Sequence, residues 1–197
     1  SKVGDSLDGH STTRTTVRRV FHHDGHWYVF CGDVQDGVYH NFFVSSTDGI
    51  HWSDRKVGSG GAIAGNKIGA PNLPETAILY RDQIYGCYSE NGELRIRSGT
   101  LAGGQITWTQ GHRIAPAYVD KSTQNFYHYY PDIMIEEDGY ISISLRHSHK
   151  SGPTQRLDPA IVISTGPNEI ASWQAPRDLI AFASPERVDA HENIPLP

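Results

Sequence analysis

One local plan recurs three times along this chain of 197 residues. The copies read TTVRRVFHHDGHWYVFCGD, ETAILYRDQIYGCYSENG and YPDIMIEEDGYISISLRHS. Each copy is an apolar run, a polar turn and a second run in which apolar and polar residues alternate. Trp27, Ile84 and Ile141 hold the same place in the three copies, at a constant spacing (84 − 27 = 141 − 84 = 57). A fixed period of this length indicates a repeat architecture in which each copy is one structural unit.

The local pattern within each copy predicts antiparallel strands. The turns contain Asp24-Gly25, Asp82-Gln83 and Asp138-Gly139, and Asp-Gly between alternating runs is a strong hairpin signal. Alternation with a period of two indicates a strand. A third strand is predicted in each copy, at 40–45, 93–98 and 159–164, and weaker fourth strands at 55–57, 112–115 and 179–181.

Four short strands in a meander, repeated at a fixed period, are typical of the blades of a β-propeller. We therefore predict an all-β chain whose four-stranded antiparallel blades lie at about 15–58, 75–115 and 130–181. Residues 1–14 and 182–197 would belong to flanking blades. Because propellers close with about four to eight blades, we expect the remaining blades to come from the same parent chain or from other subunits.

Composition excludes several functional classes. The net charge is −5 with only 17 Lys and Arg residues, which argues against a nucleic-acid surface. No apolar run approaches the roughly 20 residues needed to span a membrane. Cys31 and Cys87 are not in a CxxC motif, so a Cys-based zinc site is not expected and buried thiols are. The Gly-rich segment 58–65 lacks the Gly-Lys-Ser/Thr ending of a phosphate loop, and we expect no metal ion or other cofactor.

The segment 46–52, which reads STDGIHW, resembles the Asp-box of sialidase-type (BNR) propellers, Ser-x-Asp-x-Gly-x-x-Trp, with the Gly directly after the Asp. The other copies retain a Ser and a Trp, namely Ser98 with Trp108 and Ser164 with Trp173. In such a box the Asp binds its own turn backbone, the Gly supplies a positive φ and the Trp fills the gap between blades. The resemblance implies a structural role for this segment.

A second resemblance is to five-bladed hydrolases of the arabinanase and xylosidase type, in which an acidic residue begins the innermost strand of a blade. Pro74-Glu75-Thr76, followed by a Tyr-rich strand, is similar to that pattern. In sialidase-type enzymes, a Glu in a comparable place supports a Tyr nucleophile and Arg residues bind the sugar acid. Glu75 and Arg146 match that scheme in place.

The 57-residue period indicates where catalytic groups could converge. Applied to Glu75, it leads to Asp132 and to Arg18, which we interpret as equivalent starts of innermost strands around one axis. Arg146 ends the second strand of the third copy, and antiparallel pairing predicts that it returns to the same end as Asp132. Glycoside hydrolysis generally needs two carboxyl groups, and Arg suits the binding of substrate carboxylates.

A titratable aromatic cluster accompanies the third copy: His128, Tyr130, His147 and His149. These side chains could bind sugars, as could Arg18. Since polysaccharide lyases on propellers use Tyr and His as acid and base, Tyr130 with His147 or His149 offers an alternative chemistry. The loops 58–65 and 117–126 precede the strands of Glu75 and Asp132, and such loops commonly shape sites.

The sequence thus predicts a sialidase-like glycoside hydrolase that acts on a glycan in an extracellular, cell-surface or virion-associated setting. Glu75 would be the general acid or base, Asp132 its partner carboxylate and Arg146 a substrate clamp. One alternative is the lyase, a second is a non-catalytic carbohydrate-binding propeller, and a third is a structural propeller in which the acids only close the channel.

Overall fold

The computed structural model describes residues 20–35, 38–63, 76–90, 93–115, 119–120, 125–126, 131–151, 154–174 and 177–178. All regular secondary structure in these ranges is β-strand. The strands are β1 (Val20–His23), β2 (His26–Gln35), β3 (Val38–Ser46), β4 (Lys56–Ile63), β5 (Thr76–Tyr80), β6 (Gln83–Glu90), β7 (Glu93–Ala102), β8 (Gln105–Trp108), β9 (His112–Ala115), β10 (Val119–Asp120), β11 (Asn125–Phe126), β12 (Asp132–Ile135), β13 (Ile141–Ser151), β14 (Thr154–Ile163) and β15 (Arg177–Asp178).

Three larger sheets follow one another along the chain. Sheet 1 has the order β1-β2-β3-β4, and sheet 3 has the order β12-β13-β14-β15. Sheet 2 has five strands rather than the predicted four. Its order is β5-β6-β7-β8, and β9, at the predicted fourth strand 112–115, also pairs with β7. A separate two-stranded hairpin joins β10 and β11. Every pairing is antiparallel, which confirms the prediction of an all-β chain of antiparallel sheets.

The hairpin turns form where the sequence predicts them. In sheet 1 the turn between β1 and β2 has positive φ at Asp24 (46°) and Gly25 (71°), the pair of left-handed residues that a type I′ turn needs. The turn between β12 and β13 contains Gly139 with φ 93°. Its longer loop is closed by hydrogen bonds from Glu136 N to Tyr140 O and from Gly139 N to Glu136 O, both 2.9 Å.

Three predicted segments differ from the structure. The predicted loop 58–65 lies largely within β4, which is therefore longer than the predicted strand 55–57; backbone pairing with β3 holds this Gly-rich segment extended. The predicted loop 117–126 contains β10 and β11. In sheet 3 the fourth strand is Arg177–Asp178, whereas the predicted 179–181 lies outside the described residues.

Alternating apolar residues bury themselves between successive sheets. One cluster joins sheets 1 and 2, and Trp108 packs against it: Tyr28, Phe30, Phe43, Ala77, Ile84 and Leu101. A larger cluster joins sheets 2 and 3, and Trp173 packs against it: Ile78, Tyr85, Cys87, Leu94, Ile96, Ile114, Ile133, Ile141, Ile143, Leu145, Ala160 and Val162. Both tryptophans therefore fill gaps between sheets, as the sequence predicts.

The remaining buried cluster lies on the other face of sheet 1, where Trp52 packs against Val29, Cys31, Phe42 and Val44. Cys31 and Cys87 are buried, in agreement with the prediction of buried thiols. The part of the chain that the structure describes contains no helix able to span a membrane.

Candidate functional site

Among the predicted site residues, only Asp132 has a side chain that the structure describes. Arg146, His147 and His149 lie on β13, where their backbone pairing is described. Glu75, Arg18, His128 and Tyr130 lie outside the described residues.

Asp132 begins β12, and its side chain is exposed. Its Oδ1 atom accepts a hydrogen bond from the backbone N–H of Ile133 at 3.1 Å and one from Thr76 Oγ1 at 3.2 Å. Thr76 begins β5 and is completely buried. This bond ties the starts of the innermost strands of sheets 2 and 3 together, and it leaves the exposed carboxylate open to a ligand.

The pairing register corrects the equivalence that the 57-residue period suggests. Asp132 pairs with Ser144 on β13, and Thr76 pairs with Cys87 on β6. Ser144 and Cys87 are one period apart (144 − 87 = 57). The structural counterpart of Asp132 is therefore Thr76, and Glu75 precedes that position by one residue.

The length of one turn explains this offset. In sheet 2 the last pair before the turn, Tyr80 with Gln83, leaves two residues between the strands. In sheet 3 the loop closes on Glu136 and Tyr140 and leaves three. The extra residue moves the whole of β12 by one position relative to the second strand, while the spacing between the second strands is unchanged.

Arg146 lies two residues beyond Ser144, so its backbone is at the same end of sheet 3 as Asp132, as antiparallel pairing predicts. His149 lies five residues beyond Ser144, which at the rise of a strand is about 16 Å further along β13. The pairing of β13 with β14 continues to Ser151 and Thr154, well past the start of β12. Along β13 the backbone of His147 is therefore closer to the level of Asp132 than the backbone of His149 is.

The turn after β3 makes the hydrogen bonds that the sequence predicts for segment 46–52. Ser46 Oγ donates to Asp48 Oδ1 at 3.0 Å, and Asp48 Oδ1 accepts the N–H groups of Ile50 and His51, both at 2.8 Å. Gly49 has φ 72°. A side-chain hydrogen bond from His51 is the main reason that the pKa of Asp48 lies well below its usual range. This turn follows the end of β3, opposite the end where Thr76 and Asp132 meet, and its role is structural.

A group of four charged side chains and one tyrosine on sheet 2 was not predicted from the sequence. It is here called the arginine cluster and consists of Tyr88, Glu93, Arg95, Arg97 and Arg113. Arg95 Nη1 is 2.7 Å from Glu93 Oε2, and Arg113 Nη1 is 3.9 Å from Glu93 Oε1. Arg97 Nη2 donates to Tyr88 Oη at 3.0 Å. The only signal in the sequence is the alternation of Leu94 and Ile96 with two arginines, a pattern shared by any strand with one face in water.

Comparison with known proteins gives a fold-level likeness. No family model matches the chain, and no curated protein matches it. The catalytic domain of an α-L-arabinofuranosidase of glycoside hydrolase family 62 from Coprinopsis cinerea is similar, with a TM-score of 0.52 and 15% identity over 89% of this chain. An endo-arabinase from Bacteroides thetaiotaomicron has a TM-score of 0.48 and 15% identity over 81% of this chain. A family 117 glycoside hydrolase from Zobellia galactanivorans has a TM-score of 0.44 and 12% identity over 79%.

The chain spans only 54% of the arabinofuranosidase, 60% of the endo-arabinase and 53% of the family 117 enzyme. At such low identity the likeness concerns the fold alone, and the fold is that of β-propeller glycoside hydrolases. The likeness to the arabinofuranosidase supports the predicted propeller fold at this level, whereas the sialidase type is not shown.

Proposed function

We propose that this chain is the part of a propeller glycoside hydrolase that carries the acid–base carboxyl groups, and that its three sheets are blades of the propeller. The observation that carries the proposal is the hydrogen bond between Thr76 and Asp132. It holds an exposed carboxylate against the residue that directly follows Glu75. This adjacency in the sequence is the reason that Glu75 is proposed as the second carboxyl group of the site.

In this proposal the two carboxyl groups divide the work of bond cleavage. One protonates the oxygen of the leaving sugar, and the other attacks the anomeric carbon or activates a water molecule. Thr76 acts as a positioning residue, since its buried hydroxyl fixes the orientation of the Asp132 carboxylate. Ile133 contributes a second hydrogen bond to the same oxygen.

Substrate contacts in the proposal come from the predicted residues around this end of the sheets. Arg146 clamps the substrate, while Arg18, His128, Tyr130, His147 and His149 bind sugar hydroxyl or acidic groups. The remaining blades, in the parent chain or in other subunits, complete the mouth. The name of the arabinofuranosidase neighbour suggests arabinofuranosyl glycans as the first substrates to test. Sialylated glycans are the second set to test, because the segment 46–52 resembles an Asp-box.

The test is turnover by matched carboxyl variants in the complete native protein. We expect Glu75→Gln and Asp132→Asn each to lower turnover by at least about 10²-fold, the usual contribution of one acid or base. Two matched substitutions serve as controls, Glu137→Gln and Asp138→Asn, because these exposed residues lie at the opposite end of sheet 3. The controls should keep full activity, and all four variants should melt within about 2 °C of the wild type.

Full activity of Glu75→Gln and Asp132→Asn would refute the assignment. The product identifies the chemistry separately, because a lyase forms an unsaturated sugar that absorbs ultraviolet light and a hydrolase forms none. Unsaturated product would transfer the role to Tyr130 with His147 or His149. Glycan binding without any turnover would instead support a carbohydrate-binding propeller.

A further inference from the structure

The face of sheet 2 that packs on sheet 1 changes character along its length. Near the turn between β5 and β6 it is apolar, with Ile84 and Leu101 buried in the cluster shared with sheet 1. Further along β6 the same face carries Tyr88, since alternate residues of a strand share a face. Arg95 pairs with Tyr88 and Arg97 pairs with Gly86, so both arginines belong to this face. The apolar interface therefore ends in a cationic region.

The charges of the arginine cluster do not balance. Glu93 pairs with two of its arginines, at 2.7 Å from Arg95 and 3.9 Å from Arg113. Among the described residues, Arg97 forms no ion pair. Its one hydrogen bond goes to the neutral hydroxyl of Tyr88 at 3.0 Å, and its guanidinium carbon lies 5.2 Å from the centre of the Tyr88 ring.

The Nε atom of Arg97 also lacks compensation for its burial. Its Nε is buried and has no hydrogen-bond partner, although the side chain as a whole is half-buried and reachable. A partly desolvated charge is costly unless an opposite charge or several hydrogen bonds compensate it. In a chain with a net charge of −5, this is a local excess of positive charge and not a general property of the surface.

The surroundings prepare the site for an external anion. Arg97 pairs with Gly86, which carries no side chain. The ring of Tyr88 is itself fixed, because it is almost completely buried and its hydroxyl leaves no room for a Cβ at Gly111. The Arg97 guanidinium is thereby held against a rigid neighbour, and a planar guanidinium matches the two oxygens of a carboxylate or a sulfate.

The cluster lies at the same end of sheet 2 as the proposed catalytic carboxylate. Thr76, which binds Asp132, pairs with Cys87, the neighbour of Tyr88. From Thr76 on β5 to Arg95 on β7 is two strand spacings, or about 10 Å. Thr76 shares the face of sheet 2 toward sheet 3 with its partner Cys87, whereas the two arginines face sheet 1. A glycan that reaches both sites would therefore cross this end of sheet 2.

We propose that Arg97, supported by Arg95, binds the carboxylate or sulfate group of an acidic glycan. The inference rests on the proposed function for the identity of the ligand as a glycan, and it names the substrate class as acidic polysaccharide. Both acidic groups share the chemistry of a planar or tetrahedral anion with at least two acceptor oxygens, which is the chemistry that the guanidinium recognises.

The experiment measures equilibrium binding by calorimetry on the complete protein carrying Asp132→Asn, so that turnover does not interfere. The probes are oligogalacturonate for the carboxylate, a sulfated galactan oligosaccharide for the sulfate, and neutral arabino-oligosaccharide as the uncharged comparison. We expect one acidic probe to bind more tightly than the neutral one, and Arg97→Gln to weaken it by about 10- to 100-fold. Arg81→Gln, which removes a guanidinium at the turn between β5 and β6, should change the affinity less than twofold.

Arg97→Lys provides a second readout, because it keeps the charge but loses the fork of donors. It should bind the acidic probe with intermediate affinity and melt within about 2 °C of the wild type. Equal affinity for acidic and neutral probes, or unchanged binding of the acidic probe by Arg97→Gln, would overturn the proposal. Acidic binding that depends on Arg97 without any hydrolysis by the wild type would retain this site and refute only the hydrolase.

Discussion

Gly99 on β7 is the position where a single added methyl group should be felt most clearly. It pairs with Trp108 on β8. A Cβ at Gly99 would lie 2.7 Å from Ile106 Cγ2, 2.8 Å from Trp108 Cε3 and 3.2 Å from Ile84 Cγ2. Favourable carbon–carbon contacts begin at about 3.5 Å, so Gly99→Ala creates an overlap of roughly 0.7 Å or more with two neighbours.

The expected loss of stability follows from two opposing effects. Overpacking a filled core costs about 1–3 kcal/mol. Replacing Gly by Ala reduces the conformational entropy of the unfolded chain and stabilises the folded state by about 0.4–1 kcal/mol. The clash is with three side chains that pack against one another in the cluster between sheets 1 and 2, so the first effect should win by roughly 1–2 kcal/mol. For a chain of this size that is a fall in Tm of about 2–8 °C.

The assay compares Gly99→Ala with Gly166→Ala by urea and thermal unfolding monitored by circular dichroism. Nothing lies within 4 Å of a Cβ at Gly166, so only the effect on the unfolded chain remains and this variant should equal or slightly exceed the wild type. If Gly99→Ala were as stable as Gly166→Ala, the close packing of the β6 and β8 side chains over Gly99 within sheet 2 would be wrong.

Three further results are expected. Trp108→Ala should lower the free energy of unfolding by about 3 kcal/mol, because a half-buried aromatic ring is lost from the interface of sheets 1 and 2. Trp27→Ala removes a ring that is 41% exposed and should lower it by less than about 1 kcal/mol. Similar losses in Tm for the two variants would contradict this packing. For Asp48 the folded pKa is depressed by its hydrogen bonds, so its contribution is present above its unfolded pKa of about 3.9 and is lost as the pH falls. The difference in Tm between wild type and Asp48→Asn should accordingly be largest near neutral pH and shrink below about pH 4, and a difference independent of pH would refute this contribution. Cys31 and Cys87 are buried, so a thiol reagent should modify both only after unfolding. Rapid labelling of the native protein would show that the second strands are open.

The repeat in the sequence predicts only part of the candidate site, because the length of one turn changes which residues are equivalent. A constant period between Trp27, Ile84 and Ile141 predicts the second strands of all three sheets, because hydrophobic alternation is a local property. Carrying the same period into the first strands leads from Glu75 to Asp132, whereas the pairing aligns Asp132 with Thr76. One additional residue in the turn after β12 produces that difference, and the length of a turn does not follow from its composition.

The serines near the ends of the third strands show the same dependence on pairing register. Ser46, Gly99 and Ser164 lie opposite the equivalent residues of the three second strands, namely Trp27, Ile84 and Ile141. Gly99, rather than Ser98, is therefore the counterpart of Ser46 and Ser164. The reason for a glycine there is the space taken by Ile106 and Trp108. Such a reason exists only when two strands have been brought side by side.

The all-β class, the positions of the hairpins and the alternation that buries every second residue could be predicted from the sequence, because each depends on neighbours within a few positions of the chain. That Thr76 orients Asp132, and that Arg97 has a tyrosine rather than a carboxylate beside it, became visible only in the folded structure. These contacts join residues from different strands or different sheets. Which residues meet there depends on hydrogen-bond register and sheet packing, and a one-residue shift in either would exchange every partner.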